Sequence, residues 1–251
     1  MNLNSKIHGS FNLFSILFSY LLILFLFTTT ISLEQPGVEK KSSPFVYAVT
    51  TPTTRSGPYL TLSGFNYTDI ASNPSLQLSK FTVSAWFRAN NNLSLPEDAE
   101  SNMVIVTKTG LGKDTPGNNL NYGIWLTPSS RLRAGFENIN GSDFYSQSTQ
   151  MYNDSKWHFV AIAYDGTALR LNIDGVQTRE SILPRDGSIP DNTGTRPLRI
   201  GANAYSDKDF FVGNIDEVRV WNRALSIGEI GNGYKTGTFN TTGQVVYLPF
   251  G

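Results

Sequence analysis

Two adjacent carboxylates, Asp216 and Glu217, are the residues whose types most suggest catalysis in this chain. A retaining glycosidase needs two carboxyl groups roughly 5 Å apart, on either side of the scissile bond. Neighbouring residues of a β-strand point to opposite faces of the sheet, so this pair is not expected to flank one bond. We expect Asp216 to support a turn or a cross-sheet hydrogen bond and Glu217 to be solvated. Glycoside hydrolysis is therefore only the third candidate function, after a binding module and a structural subunit, because it requires carboxylates from separate strands to converge.

Other catalytic chemistry has little support among the residues present. The chain has no cysteine and only two histidines, His8 and His158. Disulfides, thiolate zinc sites and thiol nucleophiles are therefore excluded. His158 begins a predicted strand and is expected to be structural, and no serine lies in a nucleophile-elbow motif. The sequence does not predict an enzyme.

Sugar binding usually requires exposed aromatic rings beside amide or carboxylate side chains. Three tyrosines in or next to loops rich in Asn, Asp and Gly are the candidate ligand-binding residues: Tyr122, Tyr145 and Tyr205. The four tryptophans fall within strand patterns and are predicted to be core residues: Trp86, Trp125, Trp157 and Trp221.

The balance of charge excludes one class of partner. Basic and acidic residues number 20 each, so the formal net charge is zero. Nucleic-acid-binding surfaces need a basic stripe, so no nucleic acid is expected as a partner. The hydrophobic content of 39%, with 12% aromatic residues, is enough for a core without disulfides.

Residues 1–33 form a hydrophobic segment with two interpretations. Residues 11–27 are almost wholly apolar and follow Lys6, which is the layout of a secretory signal with cleavage after Ser32. Extended through Leu33, the segment reaches about 20 residues and is long enough for an uncleaved N-terminal membrane anchor. Both interpretations predict an extracellular or cell-surface protein, with membrane contact only through an uncleaved segment.

The rest of the chain divides into a linker and one domain. Residues 34–56 contain three prolines and a Ser/Thr cluster, which predicts a semi-extended linker. Over residues 57–251, short alternating runs are separated by turns about every ten residues, which predicts a β-sandwich. Residues 81–87 alternate cleanly, and Asp174-Gly175 predicts a tight hairpin. About twelve strands and one helical turn fit two packed antiparallel sheets.

The most specific pattern lies at residues 211–226, FVGNIDEVRVWNRALS. Its alternation predicts a strand with one solvated face, followed by a short helical piece at residues 226–230. Gly213 allows a bend or a close backbone approach that a side chain would block.

Four further segments precede this pattern: LQLSKFTVSAW (76–86), WHFVAIAYDG (157–166), LRLNIDG (169–175) and LRIG (198–201). Over about residues 58–251, their order resembles that of the LamG-like and pentraxin-like jelly rolls of the concanavalin A-like superfamily. The resemblance implies an all-β, two-sheet antiparallel jelly-roll sandwich. It implies several functions, namely glycan binding, protein binding, adhesion or a passenger role beside a catalytic domain, and the fold does not choose among them.

Resemblance to pentraxins also implies calcium in an acidic loop just after the LRIG strand. The candidate metal ligands there are Asn203, Asp207 and Asp209, and an early loop adds Asp69 and Asn73. The loop departs from the pentraxin pattern because alanines and a tyrosine replace consecutive acid and amide positions. Calcium needs six to eight oxygen ligands, so several loops would have to contribute.

Five Asn-x-Ser/Thr sequons offer N-glycosylation sites in an exported protein: Asn66, Asn92, Asn140, Asn153 and Asn240. The composition gives about four by chance, so their number is not evidence of glycosylation. Their placement in predicted loops is compatible with it.

These observations favour a non-catalytic extracellular binding module. Its expected ligand is carbohydrate or a surface protein, bound by rim loops or a concave sheet face, with calcium as a candidate cofactor. The alternative from another class is a structural or adhesion subunit of the cell envelope.

Overall fold

Alternating apolar residues build two antiparallel sheets in the computed structural model, which describes residues 58–90, 102–111, 115–183 and 189–250. In chain order the strands are β1 (Leu60–Ser63), β2 (Thr68–Ile70), β3 (Phe81–Ala89), β4 (Met103–Lys108), β5 (Tyr122–Leu126), β6 (Arg131–Glu137), β7 (Asp143–Met151), β8 (His158–Tyr164), β9 (Ala168–Ile173), β10 (Val176–Ile182), β11 (Leu198–Ile200), β12 (Val212–Trp221) and β13 (Gln244–Leu248). A 3-10 turn (Pro74–Leu76) and one helix, α1 (Ile227–Thr236), complete the described elements.

The strands divide between a seven-stranded and a six-stranded sheet. The first sheet has the order β1-β12-β3-β8-β9-β10, with β13 also paired to β12, and the second has the order β2-β11-β4-β5-β6-β7. All neighbouring strands are antiparallel. The predicted two-sheet antiparallel jelly roll is confirmed. The hairpin at Asp174-Gly175 is also confirmed, since both residues have positive φ, 51° and 77°.

The main core lies between the two sheets. Every second residue of β3 points inward and is fully buried: Phe81, Val83, Ala85 and Phe87. The ring of Phe81 packs 5.4 Å from that of Tyr122 and 6.1 Å from that of Phe136, which belong to the second sheet. Each fully buried apolar side chain of this size contributes about 1.5–3 kcal/mol to stability.

Helix α1 covers part of the outer face of the first sheet. The side chain of Ser226 accepts a hydrogen bond from the backbone N–H of Glu229, and the Glu229 carboxylate accepts one from that of Ser226. The helix ends before Gly237, whose φ of 71° is left-handed. The predicted helical piece is therefore present and extends to Thr236. It buries Ile230 against an outer cluster that includes Trp86, Phe159, Trp221 and Phe239.

This cover changes the environment of β12. The strand was predicted to have one solvated face, and that prediction is wrong for residues 215–221, which are buried on both faces. The helix and the segment after it lie over the face that was expected to be wet. Only residues 212–214, at the start of the strand, are partly exposed.

The first and last strands share one edge of β12. β1 pairs with its first half, with Leu60 opposite Ile215. β13 pairs with its second half, with Leu248 opposite Val218. A bulge between Asp216 and Arg219 separates the two pairings.

The hydrophobic segment at residues 1–33 and the linker at residues 34–56 lie outside the described residues, so their predictions stay predictions. In the part of the chain that the structure describes, no helix combines the length and apolarity that a membrane crossing needs.

Candidate ligand-binding site

A cleft opens at one end of the first sheet, between the end of β3 and the start of β12. Its volume is about 280 Å³, and its lining residues are Arg88, Ala89, Asn90, Ser155, Gly213 and Asn214. Arg88 lies opposite Asn214 in the strand register, and Ala89 lies opposite Gly213. The cleft therefore places one cationic group beside amide and hydroxyl side chains.

The cleft forms because β3 runs past the end of β8. Pairing between the two strands stops at Phe87 and His158, so residues 88–90 extend beyond it. The loop before β8 folds across this end, where the Ser155 backbone N–H donates to the carbonyl oxygen of Ala89 at 3.2 Å. On the other side, a Cβ at position 213 would lie only 2.1 Å from the Arg88 carbonyl oxygen. The close backbone approach predicted at Gly213 is thus confirmed.

Two aromatic rings flank the Arg88 side chain. Its Cζ lies 5.4 Å from the ring centroid of Tyr59 and 5.2 Å from that of Trp157. The two rings meet edge to face at 5.6 Å. Tyr59 is 39% exposed, and Trp157 is half-buried. Neither ring is among the residues that line the cleft, so the two rings lie beside it, next to the Arg88 side chain.

Hydrogen bonds fix the orientation of the Arg88 guanidinium. Its Nε and Nη2 donate to Asn214 Oδ1 at 3.1 and 2.8 Å, and Nη2 also lies 3.4 Å from the Tyr59 hydroxyl. Asn214 is held in turn, since its Nδ2 donates to Thr61 Oγ1 at 3.1 Å. The guanidinium is thus positioned by neutral groups.

His158 anchors the loop that carries Ser155 and Trp157. Its Nδ1 lies 2.9 Å from Asp174 Oδ2, and its Nε2 lies 3.1 Å from Asp154 Oδ1. These contacts, the Asp174 hydrogen bond first, raise the pKa of His158 above its ordinary value, although burial opposes them. The predicted structural role fits this geometry, because the protonated imidazole can donate to both carboxylates at once.

Replacing His158 with glutamine is expected to lower the free energy of unfolding by about 1 kcal/mol near pH 6, and by less near pH 8.5. A pKa raised in the folded state gives stability that is complete below the unfolded pKa of about 6.5. That stability is lost as the pH rises through the folded pKa. Urea denaturation at both pH values measures the difference. Lys156→Gln is the control, because Lys156 also pairs with Asp154, at 3.3 Å, but carries no imidazole. An equal or larger deficit near pH 8.5 contradicts the prediction.

The three tyrosines predicted to bind ligand do not line the cleft. Tyr122 is fully buried, and its hydroxyl donates to the Leu76 carbonyl oxygen at 3.1 Å, so the prediction of an exposed ring is wrong there. Tyr145 is half-buried on β7 and donates to Asp143 Oδ1 at 2.6 Å. Burial, with help from the acidic neighbours of its hydroxyl, raises the pKa of Tyr145 well above its ordinary value. Tyr205 is half-buried, and the Arg196 guanidinium lies 4.4 Å from its ring centroid.

The aromatic residues beside the cleft are not the ones that the sequence suggested, because strand membership was taken to mean burial. The prediction of core tryptophans is right for Trp86, Trp125 and Trp221, which are at most 4% exposed. It is wrong for Trp157, which immediately precedes β8 and lies at the edge of the outer cluster. Arg88 and Asn214 were missed. Their only signal is that each is a polar residue on the solvent side of an alternating strand.

The structure brings Asn203 and Asp209 into direct contact, and the Asn203 carbonyl oxygen and the Asp207 carboxylate both accept from Arg199 Nη1. Asn203 Nδ2 donates to Asp209 Oδ2 at 3.0 Å. Asn203 Oδ1 accepts from the backbone N–H groups of Leu111 and Tyr205, at 3.2 and 3.0 Å. Among the described residues, no group of three or more His, Asp or Glu side chains is arranged to hold a metal. Calcium binding in this loop stays a prediction, and an ion there would have to replace these N–H donors.

Asp207 belongs to an ion-pair network around Arg199. Arg199 Nη1 lies 2.9 Å from Asp207 Oδ1, and its Nε and Nη2 lie 2.7 and 2.9 Å from the two Asp69 oxygens. Two of the acids suggested as calcium ligands are therefore paired with one arginine. Asn73, the remaining early-loop candidate, caps the 3-10 turn by accepting from the Ser75 backbone N–H at 3.0 Å.

Asp216 and Glu217 do not occupy two faces of a regular strand. A bulge lies at this point, and Glu217 has a φ of 49°. Glu217 is 7% exposed and pairs with Arg219 at 2.9 Å, so the prediction that it is solvated is wrong. The Arg219 guanidinium lies in turn over the rings of Phe239 and Tyr247, which cover it. Asp216 accepts from the Glu217 backbone N–H at 2.8 Å, and burial raises its pKa to about 6.

The sequons differ in exposure. Asn66, Asn140 and Asn240 are exposed and Asn153 is half-buried, whereas Asn92 lies outside the described residues. The side chain of Asn66 bonds its own turn, accepting from Ser63 N at 2.8 Å. Glycosylation at these positions stays a prediction.

The fold defines a class of protein, the two-sheet antiparallel jelly-roll sandwich. A family model of the laminin G type, described as concanavalin A-like lectin/glucanases superfamily, matches residues 62–231. The chain therefore belongs to the concanavalin A-like lectin/glucanases superfamily. No curated protein sequence matches it.

Solved structures with this fold are distant in sequence. The binding domain of Paraclostridial Mosquitocidal Protein 1 has a TM-score of 0.54 at 16% identity, covering 70% of this chain and 42% of its own. The binding domain of botulinum neurotoxin serotype G has a TM-score of 0.52 at 12% identity, covering 71% and 42%. CBM40 of the Ruminococcus gnavus IT-sialidase has a TM-score of 0.53 at 13% identity, covering 70% and 96%. The chain thus spans less than half of either toxin chain, and these likenesses show the fold alone.

Proposed function

We propose that this domain is a non-catalytic carbohydrate-binding module and that the cleft at Arg88 is its binding site. The observation that carries the proposal is that two aromatic rings, Tyr59 and Trp157, flank the Arg88 guanidinium beside a cleft lined by amide-, hydroxyl- and guanidinium-bearing residues. Small-ligand sites combine aromatic surface with a few oriented polar groups, and about 280 Å³ is near the lower end of their size range. A ligand of one or two sugar rings matches that size.

Two further observations support a binding role. The domains of similar fold named above are binding domains of toxins and a module of a sialidase. The buried carboxylate of Glu217 is engaged by Arg219, which leaves it poorly placed for the acid or nucleophile role of a glycosidase. We therefore propose binding without hydrolysis, at an extracellular or cell-surface location reached through the N-terminal hydrophobic segment.

Replacing Trp157 with alanine is expected to weaken glycan binding roughly tenfold, because the ligand loses an aromatic wall and Arg88 loses its support. The measurement is a glycan array with the intact domain, with and without calcium, followed by titration calorimetry on the best ligand. Tyr205→Ala is the matched control, since Tyr205 is also a half-buried ring beside an arginine, but that arginine is Arg196, which does not line the cleft. A signal equally flat across all glycan classes overturns the proposal. If the Trp157→Ala variant binds the glycan as tightly as the wild type does, the binding site lies elsewhere. If glycan binding requires calcium, the loop at residues 203–209 becomes the candidate calcium site.

A second candidate, recognition of a surface protein, is favoured by one exposed aromatic patch. Phe65 is 86% exposed, and its ring lies 6.5 Å from that of Phe210, which is 6.4 Å from that of Tyr67. Exposed apolar groups clustered in this way are typical of protein contacts. Crosslinking on intact cells distinguishes recognition of a surface protein from glycan binding, because only the former predicts a crosslinked protein partner. The same experiment tests the adhesion or envelope-subunit function. A freely shed monomer without a crosslinked partner contradicts it.

A further inference from the structure

Part of the hydrogen-bonding capacity of the Arg88 guanidinium has no partner among the described residues. Nε and Nη2 are engaged by Asn214 and Tyr59, whereas Nη1 has no acceptor among the described residues. Arg88 also has no carboxylate ion-pair partner in the described part of the chain, unlike Arg170, Arg199, Arg219 and Arg223. A positive charge is thus presented to the cleft with its orientation already set.

Among the described residues, the acidic groups at this end of the sheet are paired with other side chains. Asp154 and Asp174 are the carboxylates of the loop and turn beside Ser155. Asp154 pairs with Lys156 and His158, and Asp174 pairs with His158. The other polar side chains of the cleft are the neutral groups of Asn90, Ser155 and Asn214. The Nη1 group can form a charge-assisted hydrogen bond to a carboxylate oxygen, which is roughly twice as strong as a neutral one, and adjacent aromatic rings lower the local polarity and strengthen the contact.

We infer that the ligand is an acidic sugar, a uronic or sialic acid residue, whose carboxylate binds Arg88 while its ring lies against Tyr59 and Trp157. This inference rests on the proposed function and adds the class of glycan. Asn214 acts as a positioning residue, because it holds the guanidinium without using Nη1.

The test compares carboxylated sugars with matched neutral ones by titration calorimetry. The pairs are sialyllactose with lactose, and a glucuronic-acid disaccharide with its methyl ester, and a sulfated disaccharide is included. The wild-type protein is expected to prefer the carboxylated member at least tenfold. Arg88→Gln is expected to remove that preference, and Arg88→Lys to retain part of it. Arg133→Gln is the matched control, because Arg133 likewise contacts an amide, Gln147, and a tyrosine ring, but lies on the second sheet.

Each outcome separates the acidic-sugar inference from the proposed function. Equal binding of carboxylated and neutral sugars, with loss in Trp157→Ala, overturns the inference and leaves carbohydrate binding in place. A preference that persists in Arg88→Gln also overturns it, as does preferential binding of the sulfated sugar. Absence of binding to every glycan overturns both. Thermal melts of each variant establish that it is folded before its binding is compared.

Discussion

Replacing Gly213 with alanine is expected to destabilise the domain by at least about 3 kcal/mol and to abolish ligand binding. Gly213 has a φ of 142°, which L side chains rarely adopt, and an added Cβ would lie 2.1 Å from the Arg88 carbonyl oxygen and 3.1 Å from Ala89 Cα. Both contacts are with backbone, so no side-chain rotation relieves them. β12 would have to move away from β3 where the two strands form the cleft. Urea denaturation and binding to the best array ligand measure the two effects.

Gly228→Ala is the control for Gly213→Ala. Gly228 lies in helix α1, and the nearest atom to an added Cβ is 3.9 Å away. Alanine is a better helix former than glycine, so this change is expected to be neutral or to stabilise by up to about 1 kcal/mol. Similar losses at the two positions would show that the close approach at Gly213 is not the cause.

Replacing Trp221 with alanine is expected to cost about 3–5 kcal/mol of stability, the range found for deleting a fully buried aromatic side chain. Trp221 is completely buried, and its Nε1 donates to the Asn240 carbonyl oxygen at 2.8 Å. Its ring packs 5.7 Å from that of Phe239, so it joins β12 to the segment after α1. Removing the Trp221 ring is therefore expected to weaken the packing of α1 and the segment after it on the outer face of the first sheet.

Trp221→Phe separates packing from hydrogen bonding. Phenylalanine keeps most of the apolar contact but leaves the Asn240 carbonyl oxygen without its donor, so a loss of about 1–3 kcal/mol is expected. Urea denaturation of both variants, together with near-ultraviolet circular dichroism, measures stability and aromatic packing. A loss below about 1 kcal/mol for Trp221→Ala would mean that the C-terminal cover contributes little to folding.

Much of the fold could be predicted from the sequence, because the fold depends on hydrophobic periodicity and turn chemistry. The alternation of residues 81–87 and the Asp174-Gly175 turn are local signals, and both appear in the structure as expected. The burial of the second half of β12 was not predictable in the same way. It depends on Phe239 and helix α1 returning over the sheet, which is a tertiary contact between distant segments.

The site was less accessible to sequence reasoning because it depends on where strands stop. Tyr122 follows a polar loop but is already the first residue of a fully buried strand. Trp157 has strand-like neighbours but lies just before the first residue of β8, so it reaches the surface. The role proposed for Arg88 depends on β3 extending past β8 and on Gly213 admitting the neighbouring backbone. Strand ends are the least certain part of a sequence-based assignment.

The placement of β1 and β13 on one edge of β12 has a consequence for how this domain can be joined to other chains. The partners of Leu248 and Leu60, Val218 and Ile215, are three positions apart, a separation of about 10 Å along the strand. Both edge strands run antiparallel to β12, so the end of one faces the beginning of the other. A short linker from the end of β13 to the beginning of β1 would permit circular permutation. Because these two ends lie close together, the domain can also be inserted into a single surface loop of a host protein.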